Sequence, residues 1–316
     1  MFATVFAQLT GKLESSFVLN ALFPALAFSV GALLVGMAGA GGVSAGVSTW
    51  ERQAGTVQAG IVILAVTGLY LLALVLSGLT LAIVRAFEGY LGPARWFGQS
   101  SRSWHDARRM ELIATRYAQA SIDYPLPDAK EPFDLMPTRL GNIMLSGERY
   151  AYERYGADAV VVWPRLFPLL PASAITSLAA PRAQMEQLLV LSVLSGTFGL
   201  VGGPYLAASK LALGWALACL VGCLLVACAL YRAALGFAVS YASQVRTAFD
   251  LHRLDVFGAL RVPMPSNRAE ERRRWGVINR TLYRNDPADW PYTPVAVPAL
   301  GPAPASPAAR PESAPP

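Results

Sequence analysis

Four long apolar runs with no charged residue in their interiors constrain this chain more than any other feature. They extend from Phe17 to about Gly39, from about Ala59 to Val84, from about Leu188 to Leu206 and from near Leu211 to about Leu230. About 20 predominantly apolar residues in a helix cross the hydrocarbon core of a bilayer. A segment in lipid must also satisfy its own backbone hydrogen bonds, which a helix does. The expectation is an all-α membrane protein with four transmembrane helices in two hairpins and a helical cytoplasmic module. Composition agrees: 54% of the 316 residues are hydrophobic and 15% charged, against about 25% charged in a soluble domain.

The first run exceeds the about 7–15 residues of a signal-peptide core, so a retained helix is expected. Gly202-Gly203-Pro204 interrupts the third run, and an unwound or kinked outer end is expected there. A re-entrant hairpin is the alternative for that short third run. Lys and Arg set the orientation. Arg85, Arg95, Arg102, Arg108 and Arg109 follow the second run, and Arg232, Arg246 and Arg253 follow the fourth. The two short loops offer only Arg52 and Lys210. Both long segments and both termini are therefore expected in the cytoplasm.

The chain divides accordingly into an N-terminal transmembrane hairpin (1–84), a cytoplasmic helical domain (85–184) and a second transmembrane hairpin (185–232). Further cytoplasmic helices (233–286) and a disordered Pro/Ala-rich tail (287–316) complete it. A helix from Glu88 to about Ala120 is expected to continue the second span. A Pro-rich connector follows around Tyr124 to Pro137. Thr138 is placed to cap a helix that Gly156 ends. The Val run after Asp158 reads as a short apolar segment broken by Pro164 and Pro168. Tyr241, Val245, Phe249 and His252 form one stripe continuing the fourth helix. Asn267 and Glu270 match a capping box, with Trp275, Ile278 and Leu282 on one face of the helix behind it.

The three cysteines, Cys219, Cys223 and Cys228, lie inside the fourth run and read as packing side chains. No P-loop, HExxH or Cys-x-x-Cys pair is present. With two histidines, His105 and His252, neither a zinc site nor any cofactor is expected. His105 beside Asp106 is an acid–base candidate, weighed against a solvated helix surface. The net charge of +6 and pI near 9.4 come from arginines flanking the apolar runs, so nucleic acid is disfavoured as a partner.

The polar and aromatic candidates are Glu88, Tyr90, Arg139, Asn142, Tyr155, Asp158, Trp163 and Arg165. Asp158 lies just past a helix C-terminus, where the dipole disfavours an anion. Arg165 or Arg139 is its expected partner. Two readings stay open for the cluster: a salt-bridge lock between the cytoplasmic domain and the membrane helices, or recognition of an anionic headgroup, ligand or peptide. The charge-free spans argue against an ion-coupled transporter.

Pro137-Thr138-Arg139-Leu140-Gly141-Asn142, Tyr152-Glu153-Arg154-Tyr155-Gly156-Ala157-Asp158-Ala159-Val160, Trp163-Pro164-Arg165-Leu166 and Val245-Arg246-Thr247-Ala248-Phe249-Asp250-Leu251-His252-Arg253 carry a resemblance. On these segments the chain resembles an uncharacterised family of bacterial four-span integral membrane proteins. The resemblance runs from the first span to about Tyr283 and implies a bacterial inner-membrane location, with no catalytic assignment. The leading functional expectation is a non-enzymatic, membrane-anchored module for assembly or partner binding. An oligomeric passive pore is second and a membrane-interface enzyme third. Expected partners are the lipid bilayer, further copies of the chain in a homo-oligomer, and a cytoplasmic protein or an anionic lipid.

Overall fold

A computed structural model describes residues 21–91, 98–127, 134–209, 213–284 and 286. The start of the first apolar run, part of the Pro-rich connector and the tail from Pro287 lie outside the described residues. Among the described residues every regular element is helical. In order these are α1 (Phe23–Gly39), α2 (Val43–Glu51), α3 (Gly55–Glu88), α4 (Gly98–Thr115), α5 (Tyr117–Asp123) and α6 (Arg139–Tyr155). Then follow α7 (Ala159–Leu166, with a 3-10 turn Phe167–Leu169), α8 (Ala172–Ala208), α9 (Leu213–His252), α10 (Asp255–Ala259) and α11 (Arg268–Arg284).

Three helices, α3, α8 and α9, are long and apolar enough to cross a membrane, and the count reaches four if α1 and α2, bent by 97°, form one span. This defines a multi-pass helical membrane protein. The apolar runs fill only part of α3, α8 and α9, which have 34, 37 and 40 residues. The remainder of α8 and α9 runs on among the other helices, so each of these apolar runs and the helical module share one continuous piece of backbone.

The spans pack through small residues, since lipid offers no hydrophobic drive for helix association and close backbone approach must supply it. A Cβ at Gly199 would stand 2.8 Å from Cys223 Cβ, and one at Gly203 would stand 3.0 Å from Leu220 Cβ. Ser192 and Ser195 donate across the same seam to the carbonyls of Ala227 and Cys223, both at 2.9 Å. Cys219 and Cys223 thus face α8, as their spacing suggested. Gly202-Gly203-Pro204 does not unwind the helix: α8 continues to Ala208. The glycines serve contact with α9 and α1, and this packing holds the helix through the proline's missing donor.

α1 runs alongside α8 in the same direction. Ala25 packs with Val190, Gly31 lies against Phe198, and Gly39 lies against the Tyr205 ring.

One further expectation is corrected and a second is made specific. α3 does not continue toward Ala120. It stops at Gly89, whose φ of 96° is left-handed, and the Pro137 ring occupies the space a Cβ there would need. The Val run after Asp158 is a short helix and not a strand, and Val162 and Leu166 dock it on neighbouring helices. Asp158 accepts a hydrogen bond from the Val160 N–H at 3.0 Å and so caps α7.

α6 is the hub of the module and touches α3, α5, α7, α9 and α11. One core gathers Val162, Leu166, Phe249, Phe257, Trp275 and Ile278, all at most 1% exposed. The Phe257 and Trp275 rings meet edge-to-face at 4.7 Å. Burying each large side chain contributes about 1.5–3 kcal/mol. The capping pair of α11 forms with a shift: Asn267 accepts from the Glu270 N–H, while the Glu270 carboxylate accepts from the backbone and hydroxyl of Ser266.

Candidate functional site

The eight sequence candidates separate into three places, because α6 is a rigid rod. Arg139 and Tyr155 are its first and last residues. At 1.5 Å rise per residue that separates them by about 24 Å.

At the first end of α6, the residues join two helix ends. The Thr138 hydroxyl accepts from the Gly141 N–H at 3.0 Å and donates to the Glu88 carbonyl at 2.9 Å. One side chain therefore caps α6 and satisfies a terminal carbonyl of α3. Gly141 allows the approach, since a Cβ there would stand 2.3 Å from the Glu88 oxygen. Asn142 is fully buried. Its amide donates to the Met136 and Thr138 carbonyls and accepts from the Met136 N–H. Arg139 pairs with Asp123 at 3.0 Å, and Tyr90 is exposed.

At the far end, Asp250 of α9 organises the network. Its carboxylate accepts from the hydroxyls of Tyr150 and Tyr155, the latter at 2.5 Å. Burial, and then the hydrogen bond to Asp250, push the Tyr150 hydroxyl up to about 12. The Arg253 guanidinium lies 3.8 Å over the Tyr155 ring and donates to Glu271 of α11 at 2.7 Å. The turn after α6 is clamped by Asn279, which donates to the Gly156 carbonyl at 2.8 Å and accepts from the Asp158 N–H at 3.2 Å. Asp158 is thus an N-cap with a favourable dipole. Neither expected arginine bonds it among the described residues: Arg165 donates to the Val161 carbonyl and Arg139 belongs to Asp123.

Between these two ends lies a groove of about 230 Å³ bounded by α6, α7 and α9. Trp163 forms part of its wall, 5.8 Å from the Phe249 ring. Met144, Val160, Pro164, Tyr241 and Val245 complete the apolar lining, and Glu148 supplies a carboxylate. Glu148 forms no ion pair among the described residues. The residue is exposed toward the groove mouth, yet apolar neighbours keep enough water from its carboxyl to raise its pKa, with Asp158 adding repulsion. Glu88 lies one turn beyond the last apolar residue of the second run. Its carboxyl is raised to about 7, first by burial and then by Glu148, against the lowering pull of Arg85 and Arg182.

Sequence reasoning overlooked Glu148, Asp123 and Asp250. A signal for the first was present: Leu140, Met144 and Glu148 fall at i, i+4 and i+8, which sets a carboxylate in an apolar stripe.

His105 is no partner of Asp106. Its Nδ1 lies 2.9 Å from the Tyr124 hydroxyl, and Asp106 pairs with Arg109. Burial lowers the His105 pKa. Among the described residues no three His, Cys, Asp or Glu side chains gather as metal ligands, and no hydrogen bond joins His105 to Glu88 or Asp158. No protein family matches the chain, and neither a curated protein nor a solved structure does.

Proposed function

We propose that this chain is a non-enzymatic membrane anchor that holds a protein partner at the membrane surface. The partner contributes an apolar segment with a basic side chain, seated in the groove between α6, α7 and α9. One observation carries the reading: a concave apolar surface holds a single carboxylate, Glu148, with no ion partner of its own. A carboxylate short of water gains most from a cation that arrives with its own apolar surroundings. The groove also sits near the bilayer. Tyr241 is eleven residues beyond Leu230, which along a helix is about 16 Å.

We further propose four crossings, with the module and both termini in the cytoplasm of a bacterium and the spans in its inner membrane. Arginine distribution and the family resemblance support this placement.

The test is site-specific photocrosslinking in cells. Benzoylphenylalanine at Val160, which is 70% exposed at the groove rim, should give one discrete protein adduct. The same probe at the distal, exposed Tyr283 should not. Glu148→Lys should abolish the Val160 adduct while leaving the elution profile in detergent unchanged, since like charges placed together are strongly unfavourable. An adduct that survives Glu148→Lys, or one formed only with lipid or a second copy, would overturn the proposal.

A further inference from the structure

A second groove, of about 530 Å³, opens on the opposite flank of α6, between α5, α6 and α9. It follows α9 from Cys228 to Val239, eleven residues or about 16 Å along the helix. It therefore begins inside the fourth apolar run and ends beyond it. Phospholipid headgroups occupy that depth, since they add about 5–8 Å on each side of a hydrocarbon core about 30 Å thick.

The polar groups of the groove are arranged by sign. Asp123 is 4% exposed. One carboxylate oxygen accepts from Arg139 at 3.0 Å. The other, Oδ1, is buried with no hydrogen-bond partner among the described residues. Leaving a buried acceptor unmatched is costly, more so for a charged one. Asp123 lines the groove, and a donor that parts the groove wall to reach Oδ1 would complete it. Arg139 is half exposed and spends one amino group on Asp123, which leaves donors facing the groove. Arg232 adds a second guanidinium, bonded among the described residues to the Cys228 sulfur at 2.9 Å, a weak acceptor. Ile143, Leu235 and Val239 supply the apolar wall.

We propose that this groove binds an aminophospholipid, a lipid whose headgroup joins a primary ammonium to a phosphodiester. The ammonium donates to the Asp123 carboxylate. The phosphodiester bridges Arg139 and Arg232. The acyl chains run back past Tyr231 and Cys228 toward the hydrocarbon core. The recognition is specific by charge pattern. A phosphatidylglycerol headgroup would satisfy the arginines but bring only neutral hydroxyls, and no cation, to Asp123. A quaternary ammonium brings charge but no N–H. This site is independent of the Glu148 groove and of any protein partner.

Native mass spectrometry of the full chain in nanodiscs tests it. The discs would contain phosphatidylethanolamine, phosphatidylcholine and phosphatidylglycerol in equal amounts. Wild-type protein should retain phosphatidylethanolamine about tenfold over phosphatidylcholine, the ratio expected for one hydrogen bond to a charged group. Asp123→Asn should lower that preference to about twofold or less. Arg232→Gln, at an exposed position, should reduce retention of all three lipids together. Equal retention of the three lipids by the wild type would overturn the proposal. So would a wild-type preference that Asp123→Asn leaves unchanged, or a total lipid retention that Arg232→Gln leaves unchanged.

Discussion

Burial below the last turn of α3 holds the Glu88 carboxyl at about 7 against an ordinary 4.5, with Glu148 reinforcing the shift and Arg85 and Arg182 opposing it. The unfolded chain releases this proton near 4.5. Between that pH and about 7, the folded chain binds a proton the unfolded chain does not, so stability falls as pH rises through this window. The contribution is fully present below about 4.5 and gone above about 7. Glu88→Gln keeps the shape and removes the ionisation. In detergent it should leave the Tm at pH 5 almost unchanged and raise it at pH 8 by roughly 2–4 °C, about 1 kcal/mol for a chain of this size. The same shift at both pH values would show that folding leaves the Glu88 carboxyl at its ordinary value. Single residues of this kind were only partly legible in the sequence. Glu88 was singled out for its place at the end of a span. The shift comes first from burial and then from the charge of Glu148, on a helix that reaches Glu88 from sixty positions away.

Helix ends account for most of what the sequence disclosed at the scale of elements. Thr138 and Gly156 bound α6 where their chemistry indicated, one accepting from Gly141 N–H and the other left-handed at φ 83°. The Trp275 face of α11 is buried as its spacing required. Local rules misled where tertiary packing overrode them. Pro164 sits inside α7 and Pro204 inside α8, because a neighbour packed against each helix compensates for one lost backbone bond. Asn142 was legible as part of a polar cluster, but its work lies between elements. Three hydrogen bonds tie the turn before α6 to the helix itself. Asn142→Ala should strand the buried Met136 N–H and carbonyl and cost about 2–3 kcal/mol. Arg108→Ala removes only an exposed pair with Glu111 and should leave the Tm essentially unchanged. Thermal unfolding followed by circular dichroism distinguishes the two. Equal losses would mean that the α3–α6 junction is not a stability centre.

The organisation of the whole molecule turns on the bend after Gly39. α2 has nine residues, about 14 Å, which is too short to return across a hydrocarbon core of about 30 Å. It leaves α1 at 97°, the direction of a helix lying in the membrane surface. α1 meanwhile keeps contact with α8 from Val190 to Tyr205, nearly the full depth of the third apolar run. These facts favour a complete first crossing followed by a surface helix over a re-entrant loop. Topology can be read with single cysteines, after Cys219, Cys223 and Cys228 are replaced by Ala. A membrane-impermeant maleimide added to intact spheroplasts should label Ser48→Cys, on α2, directly. Ser15→Cys, ahead of α1, and Thr247→Cys, on the module segment of α9, should react only after the membrane is opened. Labelling of Ser15→Cys and Ser48→Cys from the same side would make α1 and α2 re-entrant and reduce the crossings to three. It would also leave the residues ahead of α1 opposite the module, where neither the Glu148 groove nor the Asp123 groove could be reached from them.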